Sequence, residues 1–195
     1  MTTKGSRAIT DVGTLKALAH PLRMKLYRAL CVADRATASH LAEQVDEAVS
    51  LVSYHLRKLA EHGLIEDAEA QSGDGRERWW QPSSEGVSIS DRDFRDEPGK
   101  ASAHLAATRL FLEQRMDMYR RYLDERSTWG PEWNAAAHDS ESLLRLTASE
   151  MNELREELLA LARKYDEKGR SAEASGDTEG RENVALHVYG FPFRV

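Results

Sequence analysis

Ala48-Val49-Ser50-Leu51-Val52-Ser53-Tyr54-His55-Leu56-Arg57-Lys58-Leu59 has two faces when read on a helical period. Val49, Val52, Leu56 and Leu59 recur at three- and four-residue spacing and stack on one side. Ser50, Ser53, Tyr54 and Arg57 recur at the same spacing on the other. An apolar back lets such a helix dock on a core. Its slim front of hydroxyls and a guanidinium has the shape that enters a DNA major groove, where base edges offer donors and acceptors. An ordinary amphipathic surface helix shows the same pattern, so the neighbouring residues must decide between the two.

On the N-terminal side, residues 1–12 are polar and are expected to be mobile. A helical pattern begins near Thr14, with Leu15, Leu18 and Ala19 on one face, and His20-Pro21 interrupts it. Proline suits the first position of a helix, where its missing N–H is not needed. A second helix is therefore predicted from Pro21 to about Cys31, with Leu22, Leu26, Ala29 and Leu30 on its face and His20 near the cap. Asp34-Arg35-Ala36 is a break, and Thr37 is a suitable N-cap for a short helix with Leu41, Ala42 and Val45 inward. His40 stands where a capping box needs Glu or Gln, so the box is incomplete. Asp46-Glu47-Ala48 then turns into the opening helix, which makes a helix-turn-helix with residues 48–60 as its second element.

Gly63 ends that helix as a left-handed C-cap. Leu64–Ala68 reads as a strand, and Gln71-Ser72-Gly73-Asp74-Gly75-Arg76 is turn chemistry throughout. Glu77–Gln81 reads as the returning strand, stopped by Pro82. The result is a hairpin wing over residues 65–81, with Arg76 and Arg78 near its tip to add salt-sensitive affinity for phosphates.

Leu18-Ala19-His20-Pro21-Leu22-Arg23, Leu41-Ala42-Glu43, Val52-Ser53-Tyr54-His55-Leu56-Arg57-Lys58-Leu59, Gly63-Leu64-Ile65 and Gly75-Arg76-Glu77-Arg78-Trp79-Trp80 follow one another in register. Over about residues 12–83 they resemble ArsR-type winged helix-turn-helix transcription regulators. The resemblance implies a homodimeric, sequence-specific binder of double-stranded DNA, usually a repressor released by a ligand. It also implies Ser50, Ser53, Tyr54, Arg57 and Lys58 as contacts of the recognition helix, and Arg76 and Arg78 as contacts of the wing. His55 matches the pattern but sits between the two faces, where packing or a phosphate contact is expected. The sequence departs from metal-sensing members of the family, because no cysteine pair falls near residues 38–45. One cysteine and seven histidines do not assemble the roughly four donors of a closed zinc site. No metal and no cofactor are expected. Cys31 itself is expected to be a buried structural thiol.

The second half is organised differently. Residues 84–99 read as a linker without fixed structure, and a long helix follows from about Lys100 to Arg126. Ala101, Leu105, Thr108, Leu112, Arg115, Tyr119 and Tyr122 fall on one seam of it, suited to intrachain packing, a dimer contact or both. Ser142–Leu146 is a strand candidate. Thr147-Ala148-Ser149-Glu150 is a complete capping box opening a helix to about Lys168, and residues 167–182 read as a loop. Residues 183–195 alternate like a strand. Trp129, Trp133, Tyr189, Phe191 and Phe193 are either core or the lining of a small-molecule effector pocket.

The expected fold is mainly α with small β. A winged helix-turn-helix domain at 1–83 and a linker at 84–99 precede a C-terminal α/β dimerisation or effector domain at 100–195, ordered helix, strand, helix, strand. Net charge is −6, as −1 over residues 1–90 (11 basic, 12 acidic) and −5 over the remainder (16 basic, 21 acidic). The acidic excess thus lies away from the helix-turn-helix, whose local face matters more than the sum. No apolar run approaches the roughly 20 residues of a membrane span. Met1–Arg7 has no apolar core of a signal peptide, so a cytoplasmic location is expected. An enzyme is disfavoured: Gly-rich phosphate loop, G-x-S-x-G elbow and H-E-x-x-H pair are all missing. The alternative from another class is a winged-helix module that docks on proteins without nucleic acid.

Overall fold

His20-Pro21 divides the first helical run in two. The computed structural model, which describes residues 6–70 and 77–194, shows α1 at Val12–Ala19 and α2 at Pro21–Ala33, with His20 between them. Asp11 caps α1, its carboxylate accepting from the Thr14 N–H at 2.8 Å. The other end of α1 is closed by Arg23, which donates to the carbonyls of Ala17 and Lys16. A short strand, β2 (Ala36–Thr37), leads into α3 (Ala38–Val45), and α4 spans Val49–Glu61. Thr37 caps α3 through a bond from the His40 N–H, without the reciprocal half of a capping box.

The hydrophobic core lies where the first four helices meet. Leu15, Leu18, Leu26, Leu30, Leu41, Val52, Leu56, Leu59 and Leu64 are all fully buried. Each such side chain contributes about 1.5–3 kcal/mol by leaving water. α4 ends at Gly63, whose φ of 63° lets the Leu64 N–H turn back to the Leu59 carbonyl at 3.0 Å. β3 (Ile65–Ala68) and β4 (Trp79–Pro82) pair antiparallel, with Asp67 opposite Trp80, and β4 pairs with β2 on its other edge. The hairpin tip, including Arg76, lies outside the described residues.

Two expectations about flexible segments are corrected. Of residues 1–12, those described are ordered into the fold from Arg7 on, where β1 (Arg7–Ile9) pairs in parallel with β5 (Val87–Ile89) and Ile9 is 1% exposed; residues 1–5 lie outside the described residues. The 84–99 segment is structured too. It holds β5 and a 3-10 turn at Asp91–Asp93, and Phe94 is fully buried in the main core. Phe94 stacks on His104 at 5.1 Å, which fixes the start of α5 (Pro98–Asp124). α5 packs on α1 through Ala107 and Phe111. Leu105, Leu112 and Tyr119, seven residues apart, stay exposed.

The chain divides into two compact units, Met1–Asp124 and Glu125–Val195, so α5 falls in the first. The second unit holds α6 (Pro131–Ala136) and α7 (Ala148–Ala174). The Thr147–Glu150 capping box is complete, and α7 runs through part of the segment expected to be a loop. The C-terminal strands are not formed: 142–146 and 183–194 are neither helix nor strand. Their apolar side chains are exposed, and a strand needs a partner for its ladder. Two smaller expectations also fail, since Cys31 is exposed and so, at 46%, is Val49. Among the described residues no helix is long and apolar enough to cross a membrane.

Candidate nucleic-acid interface

α4 turns its back on the core and leaves its front bare. Val52, Leu56 and Leu59 are at 0% exposure, while Ser50 and Arg57 are exposed and Tyr54 is 48% exposed. Ser53 is half-buried. The Arg57 Nε reaches back to the Ser53 carbonyl at 3.2 Å, which lays the side chain along the helix with its guanidinium at the surface. Lys58 pairs with Glu61 at 2.7 Å and stands 5.8 Å from the Tyr54 ring centre. The hydrogen bond and charge of Glu61 raise its pKa. Val49 joins this exposed surface rather than the back. His55, 6% exposed, fills the inner side instead, its ring 4.6 Å from that of His20.

An open groove of about 280 Å³ runs between α4, the start of α3 and the wing. Ser53, Arg57 and Arg78 line it together with Val49, Ser39 and Glu77. Of the residues expected at the interface, the structure thus gathers Ser53, Arg57 and Arg78 around one groove, with Ser50, Tyr54 and Lys58 beside it on α4. Arg78 is committed within the wing. Its guanidinium forks onto Asp67, with Nη2 at 2.9 Å from Oδ2, and lies 4.1 Å from the Trp80 ring centre. Asp67 raises the pKa of Arg78, and the Arg78 hydrogen bond lowers that of Asp67. The pair delivers less net positive charge to a phosphate than a free arginine would.

The sequence reading missed Ser39 and Glu77. Ser39 Oγ donates to Glu77 at 2.7 Å, tying the start of α3 to the returning strand of the wing. That bond, with one from Thr37, holds the Glu77 carboxyl below its ordinary value. Nothing local marks these two residues as partners, being 38 positions apart. Only the pairing of β2 with β4 brings them together.

In the second unit, Trp129 and Trp133 are half-buried, and Asn134 donates to the Trp129 carbonyl at 2.9 Å. Tyr189 is 43% and Phe191 72% exposed, so those two stand at the surface of the single chain.

Residues 18–68 match a family described as a helix-turn-helix domain. Within that stretch α3 and α4, joined by residues 46–48, form the helix-turn-helix. Among solved structures, the chain is similar to a possible transcriptional regulator for arsenical resistance. The identity is 22% and the TM-score 0.31, covering 65% of this chain and 97% of that one. It is also similar to ZitR of Lactococcus lactis, a zinc-responsive MarR family member, at 19% identity and a TM-score of 0.29, covering 75% of each chain. Similarity extends to the adhesin competence repressor AdcR of Streptococcus pyogenes, at 12% identity and a TM-score of 0.29, covering 72% of this chain and 80% of that one. Likenesses at these scores carry nothing about what this chain does. No curated protein sequence matches it.

Proposed function

We propose that the chain is a sequence-specific DNA-binding transcription regulator of ArsR type, acting as a homodimeric repressor. α4 enters the major groove with Ser50, Ser53, Tyr54 and Arg57 toward the bases, and Lys58 meets the backbone. The wing, with Arg76 and Arg78, lies on the adjacent backbone or minor groove. One observation carries this reading: the second helix of a helix-turn-helix domain is anchored by fully buried Val52, Leu56 and Leu59 while Ser50, Tyr54 and Arg57 face outward. Such a helix is held rigidly and offers donors and acceptors at the spacing of base edges. The heptad-spaced Leu105, Leu112 and Tyr119, exposed on α5, support a twofold partner. A dimer would set two recognition helices about 34 Å apart, one turn of duplex.

Selection of bound fragments from genomic DNA tests the proposal. Enriched fragments should share a two-part motif with about 10 base pairs between half-site centres. Enrichment of no motif would sink the proposal. The docking reading, a winged-helix module without nucleic acid, draws on Val49 and Leu51, exposed at 46% and 39% on α4, and on the Asp67 that neutralises Arg78. Salt separates the two. Binding to phosphates weakens steeply and linearly in log–log form as salt rises, whereas an apolar docking contact does not.

A further inference from the structure

The second unit shows a contradiction between its sequence pattern and its single-chain structure. Two segments carry dense apolar side chains of strand type: Leu143, Leu144 and Leu146 before α7, and Val184, Leu186, Val188, Phe191 and Phe193 after it. Neither segment is a strand in the isolated chain. All eight of these side chains are at least 43% exposed, with Leu143 and Val184 at 70%. Among the described residues of this unit Ala172 alone is buried, at 8% exposure. A unit of this composition has not buried its apolar surface within one chain.

We infer that 142–146 and 184–193 are completed by the same segments of a second copy of this chain, as one intermolecular antiparallel sheet covered by the two α7 helices. Three observations select a second copy as the occupant. First, strand alternation puts five of the eight, Leu144, Leu146, Val184, Leu186 and Val188, at even-numbered positions; at roughly 100 Å² each they offer about 500 Å² per chain, about 1,000 Å² over two copies, which meets the lower bound of a specific interface. Second, two short strands from one chain fall below the three or more that an independently stable sheet needs, whereas two chains supply four. Third, the partner must itself present strand edges with one apolar side. A twofold axis delivers such an edge from this chain at the concentration of the chain itself. α7 fits the same arrangement, with Leu158, Leu161 and Tyr165 exposed along one stripe. The inference rests on the homodimer reading only in taking a second copy as partner, and it assigns the contact to the second unit, whereas α5 belongs to the first.

Two measurements on the full chain test it. Amide hydrogen exchange in 142–146 and 184–193 should be slow at high chain concentration and at least tenfold faster on dilution. Leu186→Asp combined with Val188→Asp should raise the dimer dissociation constant at least tenfold in sedimentation, with the helical far-ultraviolet signal retained. Fast exchange at every concentration overturns the inference, and so does slow exchange at every concentration, which would mean pairing within one chain. An unchanged dissociation constant in the double variant overturns it as well but leaves the homodimer reading intact. That result would move the contact to α5, where Leu112→Asp would then disrupt it. A natural chain that sediments as a monomer throughout overturns the inference and the homodimer together.

Discussion

His55 sits where the core side of α4 meets the solvent side, with its imidazole turned inward against His20. Neither Nδ1 has a hydrogen-bond partner among the described residues. Burial lowers both pKa values, and the cation of Arg23 adds to that, while Glu47 opposes it for His55. The folded state therefore holds fewer protons than the unfolded one just below the ordinary imidazole value of 6.5. Stability is fully present above that value and is lost as the pH falls through it. Urea midpoints at pH 7.5 and 5.5 should show this loss, and His55→Phe should flatten it. An equally steep pH dependence in that variant would mean that other groups set the acid limit. Arg57 works at the same scale on the outer face. Arg57→Ala should weaken binding to the selected DNA site by about 1–3 kcal/mol, roughly 5- to 150-fold, while leaving the thermal midpoint unchanged. Titration of the labelled site by fluorescence anisotropy reads the first quantity and calorimetry the second.

At the scale of elements, the helix-turn-helix depends on a three-residue turn with a left-handed residue in it. Asp46 has φ 56° and ψ 54°, and its N–H closes onto the Ala42 carbonyl. Lys25 of α2 donates to the Val45 carbonyl at 2.8 Å, placing a cation at the same helix end. Aspartate tolerates this region and a β-branched residue does not, so Asp46→Val should cost about 1–2 kcal/mol. Asp46→Gly should be neutral or better in the same denaturation experiment. The anchoring of α4 is tested by Leu56→Ala, which leaves a cavity under the recognition helix. It should lower stability by about 2–5 kcal/mol. A loss under 1 kcal/mol would mean that α4 is not held by that contact.

At the scale of the whole molecule, a distant segment secures the helix-turn-helix from outside it. Arg7 donates to the carbonyls of His62 and Gly63 at the end of α4, and Ser83 donates to the Gly63 carbonyl at 2.6 Å. The Arg7 N–H bonds to the Gly86 carbonyl, joining β1 to β5. Phe94 then plugs the core behind them. Phe94→Ala should cost about 3–5 kcal/mol, although this residue lies beyond the helix-turn-helix and its wing. Chemical denaturation of the full chain measures it.

The amino-acid order alone determined the elements whose causes are local. Pro21 at a helix start, the Thr37 cap, the Gly63 stop and the Thr147–Glu150 box each act within a few residues. The back of α4 was legible for the same reason, Val49 excepted, because a helical period repeats within the segment it describes. What only the tertiary structure decided depends on partners far along the chain. β1 and β5 are only three residues each, and become strands because each supplies the other's ladder across some eighty positions. Ser39 met Glu77, and Arg78 spent its charge on Asp67, through strand pairing that no window of sequence contains. The C-terminal segments show the converse: their alternation predicts strands, yet in the single chain neither 142–146 nor 183–194 is a strand. Side-chain period fixes which face is apolar, but a strand forms only where a second backbone accepts its hydrogen bonds.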